Sequence, residues 1–302
     1  MMKKIAYILL PVAAGLILSS CGGDDNKNEE LDNTIDSTKT TEQTSNNNSA
    51  VSETFFQVPS PGEMLTFIKM VAGKNNKNTS FLNPPDNMKN YTDAKAKALN
   101  FGIYSCDLSY CSIFEIGAEA LKYFKTVKQL GDQIGVATAI KPEVMKRLEG
   151  NIGNPDSLAV ITDDVYFSSF ETLENGDRGP TLALVVAGGW IESLFIATNL
   201  AKYEENSPII ERLADQKYTL ENLIEFLKKH EADPAVASVK TDFEGLLAEF
   251  GKIEQKDVTA KGKDEKDKKM LGGGKQLVVS ATTYNAIVEK IKSIRNSYTL
   301  TK

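Results

Sequence analysis

The chain has 302 residues, of which 41% are hydrophobic, and a formal charge of -6. That is enough apolar material for a sizeable core, while the acidic balance argues against nucleic acid and against electrostatic adhesion to an anionic bilayer. With three cysteines and His230 as the single histidine, neither a zinc centre nor a disulfide framework is expected.

The first segment is a targeting signal. Lys3 and Lys4 precede an apolar run from Ile5 to Leu18, which is shorter than the roughly 20 residues a transmembrane helix needs. The run closes in Leu18-Ser19-Ser20-Cys21, which resembles the lipobox of bacterial lipoproteins. The resemblance implies cleavage before Cys21, which becomes the lipidated first residue of the mature protein. Loss of residues 1–20 removes two lysines, so the charge of -6 becomes -8. The membrane would then be reached through acyl chains, worth about 0.8 kcal/mol per buried methylene. Gly22-Gly23-Asp24-Asp25 resembles the export signals of surface-exposed Bacteroidetes lipoproteins. The expected address is the cell envelope, as an outer-membrane lipoprotein on the periplasmic face or the cell surface. Residues 21–54 are almost free of apolar side chains and read as a disordered tether. Within it, Asp36-Ser37-Thr38 resembles a Bacteroidetes O-glycosylation sequon, with Ser37 as acceptor.

A helical domain is expected over residues 55–255. Ser60-Pro61-Gly62-Glu63 has the capping-box pattern and opens a helix toward Ala72. Asn75 to Asn90 reads as loop, with Pro84-Pro85 barring a helix. Thr92 then starts a long helix with apolar residues at Ala94, Ala98, Phe101, Tyr104, Leu108 and Cys111, broken at Gly117. A helix over Ala118–Ile134 carries Leu121, Phe124, Val127 and Leu130 on one stripe. Further helices are expected at Pro142–Leu148, from Asn154-Pro155 to Leu173, and from Thr181 to Lys202. Ser207-Pro208 and Thr219 are expected to cap two more, and Asp233-Pro234 another ending near Glu254. Residues 256–276, rich in Lys, Asp and Gly, read as a mobile loop whose lysines are interrupted by Asp257, Asp264, Glu265 and Asp267. Leu277-Val278-Val279 reads as extended. Ser280 caps a last helix within residues 277–302, carrying Tyr284, Ile287, Ile291 and Ile294, which packs back on the domain.

Roughly ten helices and little strand pattern give an all-α fold, a multi-helix bundle of antiparallel helical hairpins that is weakly repeat-like. No P-loop, G-x-G-x-x-G, H-E-x-x-H or G-x-S-x-G motif occurs, so no cofactor is expected. His230 reads as part of a solvent-facing helix end. Cys106 and Cys111, five residues apart on one helix, point about 140° apart and read as small buried hydrophobes.

Two acids stand out. Glu192 lies in the run Ala187-Gly188-Gly189-Trp190-Ile191-Glu192-Ser193-Leu194-Phe195, and Asp107 has Ile103, Tyr104, Tyr110 and Cys111 one helical turn away. Three readings are open. The acids accept hydrogen bonds from tyrosines or from Arg147, Arg178 or Arg212 and pin helix packing. Alternatively, with Tyr104, Tyr110 and Trp190, they line a groove for a sugar or a cationic ligand. A third reading makes them an acid/base pair for glycoside hydrolysis, about 5–10 Å apart across a cleft.

The stretches Pro59-Ser60-Pro61-Gly62-Glu63, Asn100-Phe101-Gly102-Ile103-Tyr104-Ser105-Cys106-Asp107-Leu108-Ser109-Tyr110 and Ala187–Phe195 resemble a group of Bacteroidetes lipoproteins, as does Ile294-Arg295-Asn296 near the end. The resemblance implies an extracytoplasmic helical lipoprotein, and it transfers no catalytic role to any residue. A non-enzymatic binding or scaffold module is the expected function.

Overall fold

The computed structural model describes residues 60–73, 77–259 and 273–299. The lipobox with Cys21, the sequon with Ser37, and the middle of the Lys/Gly-rich segment lie outside them. The described residues all belong to one unit, Ala50–Lys302, and they form an all-α fold with one small β-ribbon.

Most helix starts follow the capping chemistry that the sequence carries. Ser60 caps α1 (Pro61–Ala72), Asp93 caps α2 (Ala94–Ile113), and Asn154 caps α5 (Pro155–Asn175). Ser207 caps α7 (Pro208–Lys228) and Asp233 caps α8 (Pro234–Phe250). In each case a side-chain oxygen accepts an otherwise orphaned first-turn N–H. Four of these helices also carry Pro within the first two positions, where its missing N–H is not needed. The remaining helices are α3 (Gly117–Ile134), α4 (Pro142–Gly150), α6 (Gly179–Leu200) and α9 (Ala281–Thr299).

Four expectations are corrected. Pro84-Pro85 does not bar a helix, because Pro85 opens a short 3-10 helix to Asn90, where a first-position proline is tolerated. Thr219 caps nothing, and α7 runs unbroken through it, carried by Leu213, Leu220, Leu223 and Leu227 on its buried face. The break between α2 and α3 falls before Gly117, at Glu115, which takes the left-handed conformation at φ 64°. Finally, the ends of the Lys/Gly-rich segment pair as antiparallel strands, β1 (Glu254–Thr259) and β2 (Gly273–Val278), with Glu254 opposite Val278 and Thr259 opposite Gly273.

Two helices form the centre. Ala98 to Ile113 of α2 and Leu182 to Ala197 of α6 are buried on every side, so neither shows a polar stripe. By length and composition α6 could cross a membrane, yet 83% of its most apolar window is buried inside this fold. Where α2 and α6 meet, glycines let backbone touch backbone. A Cβ on Gly102 would stand 2.0 Å from the Val185 carbonyl oxygen, and one on Gly188 would stand 2.0 Å from that of Leu99. The glycines flanking the two acids thus set the spacing of the core, which is worth more than the roughly 1 kcal/mol each costs in a helix interior. Around this pair, α1, α3, α5 and α9 close the remaining faces.

Candidate functional site: a buried acid pair closed by an arginine

The close α2–α6 approach brings Asp107 and Glu192 together. Both are fully buried, and Glu192 lies close enough for its charge to act on Asp107. Their cationic partner is none of the three arginines named from the sequence. Arg147 pairs on the surface with Asp164, Arg178 donates to the Ile134 carbonyl and to Thr181, and Arg212 lies over the Phe67 ring.

The partner is Arg295 of α9. Its Nε donates to Glu192 Oε2 at 2.8 Å and its Nη2 to Glu192 Oε1 at 3.0 Å, a fork matched to both carboxylate oxygens. The same guanidinium reaches the Phe81 carbonyl and the Thr299 hydroxyl, and its carbon lies 4.4 Å from the centre of the Phe195 ring. Burial alone would lower the Arg295 pKa, but the Glu192 carboxylate holds it above its ordinary value. One signal pointed to this residue. On α9 the apolar stripe Tyr284, Ile287, Ile291, Ile294, Tyr298 carries Arg295 beside it, and a cation next to a buried stripe needs a buried anion.

Asp107 makes a different set of contacts. Its Oδ2 accepts the Asn83 backbone N–H at 3.2 Å, while Oδ1 accepts nothing. Burial pushes its carboxyl well above the ordinary carboxylate range. The nearby charge of Glu192 adds to the rise, and Arg295 offsets part of it.

A polar network extends from the acids to the end of α9. Asn83 donates to the Tyr91 hydroxyl and to Asn100 Oδ1. Asn100 Nδ2 then donates to the Tyr298 carbonyl, and the Tyr91 hydroxyl donates to that of Thr299. Helix ends leave four carbonyls without partners, and here side chains from α2 and the preceding loop satisfy two of them.

The other residues picked out from the sequence go elsewhere. Tyr104 donates to the Pro84 carbonyl at 2.8 Å and Tyr110 to that of Asn78 at 2.9 Å, so both pin the loop before α2. Trp190 turns toward α7 and α8, where its Nε1 donates to Gln216 and its ring packs on Phe243. Cys106 and Cys111 are buried free thiols. His230 is half-buried against Phe226 and the start of α6 rather than facing solvent, and that burial lowers its pKa. No described pocket is lined by Asp107 or Glu192. The largest of them, about 500 Å³, is an open polar groove along Tyr91, Asp93, Lys95, Ser238, Asp242 and Tyr298. Among the described residues no group of three or more Asp, Glu, His or Cys could hold a metal ion. Compared with protein-family models, curated proteins and solved structures, the chain finds no match in any of the three.

Proposed function

We propose that the chain is a membrane-anchored extracytoplasmic lipoprotein, fastened at an outer membrane by lipid on Cys21, whose helical unit is a non-enzymatic binding or scaffold module. The observation that carries this reading is the succession of Lys3-Lys4, the apolar run Ile5–Leu18, Leu18-Ser19-Ser20-Cys21 and a polar tether. A scaffold role is supported by the chemistry of the acids. Glu192 has both oxygens engaged by Arg295, and Asp107 is fully buried beside it, which leaves neither in an open cleft where a hydrolase keeps its carboxyl pair. Labelling with radioactive palmitate tests the anchor. The wild-type chain should take up label and sediment with membranes, and Cys21→Ser should do neither. Label that survives Cys21→Ser would overturn the anchor.

A second reading, a binder of a small sugar or cationic ligand, is favoured by the groove along Asp93 and Asp242. Its floor includes Tyr91, whose hydroxyl belongs to the network around Asp107. A titration with polyamines and simple sugars, read by thermal shift, tests it. Asp242→Asn should abolish any shift.

A further inference from the structure

We infer that Asp107 keeps its proton in the folded protein and donates it from Oδ1 to Glu192, so that Asp107, Glu192 and Arg295 form a neutral cluster latching α9 onto α2 and α6, and that the fold weakens as pH rises above the ordinary carboxylate range, because unfolding then releases this proton. The inference is independent of the lipid anchor.

The geometry sets the count. Two fully buried carboxyl groups share one cation, and the fork of Arg295 is spent on Glu192. With both acids ionised, the cluster would hold one uncompensated charge in the buried interior, which is strongly unfavourable. Asp107 Oδ1 would also be an acceptor with no donor, set against another anion. One proton on Oδ1 removes both faults. It neutralises the excess charge and turns the orphaned acceptor into a donor to Glu192, while Oδ2 keeps the Asn83 N–H. Paired carboxyl groups at such contact hold a proton in common for this reason.

The surroundings reinforce the neutral form. From α2 itself Tyr104, Cys106 and Cys111 act on Asp107, and Tyr123 does so from α3. Tyr91 faces it from the preceding loop, Glu192 from α6 and Arg295 from α9. On α5, Tyr166 acts on Cys106 instead. Tyrosines and thiols are neutral at physiological pH, so Arg295 is the one cation in this set.

Proton linkage gives the test. Above the ordinary carboxylate range the folded state holds one proton that the unfolded state has released, so stability falls as pH rises. Just above the ordinary carboxylate range, between about pH 5 and 6, the unfolding constant of the wild-type chain should increase about tenfold per pH unit from this group. Asp107→Asn replaces the protonated acid by an amide that can still donate to Glu192 and accept from Asn83, and it should lose that tenfold slope. An infrared spectrum of the folded wild type taken above the ordinary carboxylate range should also show the carbonyl stretch of a protonated carboxylic acid, weakened in Asp107→Asn. Equal slopes in the two proteins would overturn the inference. So would a wild-type spectrum without the band, and that readout stands even if the variant fails to fold.

Discussion

Replacing Gly188 by alanine puts the α2–α6 contact to a quantitative test. The added methyl would sit 2.0 Å from the Leu99 carbonyl oxygen, short of ordinary van der Waals contact by about 1.4 Å. The obstacle is backbone on a helix buried all round, so no side chain can swing away, and the two helices must part along their shared face. Overpacking of this kind costs about 1–3 kcal/mol and sometimes more, while the helix-propensity gain of alanine over glycine returns about 1 kcal/mol. A separation of central helices lies at the upper end, so a net loss of about 2 kcal/mol is expected, a large share of the roughly 5–15 kcal/mol typical of a domain. Urea denaturation with unchanged m-value is the assay. Gly245→Ala is the control, because its methyl would meet only the flexible end of Lys290 at 3.1 Å. That variant should gain about 0.5–1 kcal/mol. If Gly188→Ala matched or exceeded the wild type in stability, the backbone-contact explanation of the glycine pair would be refuted.

Asp163 gives a pH signature in a different range. Burial, with the nearby charges of Glu63 and Asp164, raises its pKa to about 6, so the folded state holds its proton longer than the unfolded state does. Stability should therefore decline as pH rises from about 4 to about 6 and level off above, a penalty that its partial exposure limits to about 1 kcal/mol. Asp163→Asn should match the wild type near pH 4 and exceed it by that amount above pH 7. Thermal melts at the two pH values decide this, and an equal offset at both would count against it. At the start of α8, Asp233 accepts the N–H groups of Ala235 and Val236. Asp233→Ala should lose about 1 kcal/mol in denaturant titration, and a loss below a few tenths would show that the cap is idle.

Local chemistry made most of the fold legible. Ser60, Asn154, Ser207 and Asp233, each next to a proline, marked helix starts that the structure repeats, and Thr92 fell one residue before the observed cap at Asp93. The failures have local causes as well. Thr219 offered a capping side chain, but the apolar spacing from Leu213 to Leu227 carries α7 through it. The charges and glycines after Phe250 hid the ribbon, although Leu277-Val278 read as extended, because β1 is defined by pairing with β2 rather than by an apolar pattern of its own. Glu115 takes a left-handed conformation that composition does not announce. For the site, Asp107 and Glu192 stood out in the sequence as lone acids in apolar helical runs. Arg295 was legible only as a cation beside the apolar stripe of the last helix; its pairing was not, because it lies 103 residues beyond Glu192 and only the return of α9 brings it there. Tyr104, Tyr110 and Trp190 looked like site residues through spacing alone, but each hydroxyl or indole N–H was claimed by a loop carbonyl or by Gln216.

That a closed ion cluster fastens α9, and not apolar packing alone, is tested most directly by the unfolding free energy of Arg295→Met. Methionine keeps apolar bulk near Phe195 but leaves the acid pair without its cation. The loss should be about 3–5 kcal/mol, and adding Glu192→Gln in the same chain should recover at least half of it. A loss below about 1 kcal/mol in the single variant, or losses in the double variant that simply add, would contradict the cluster as the fastening of α9.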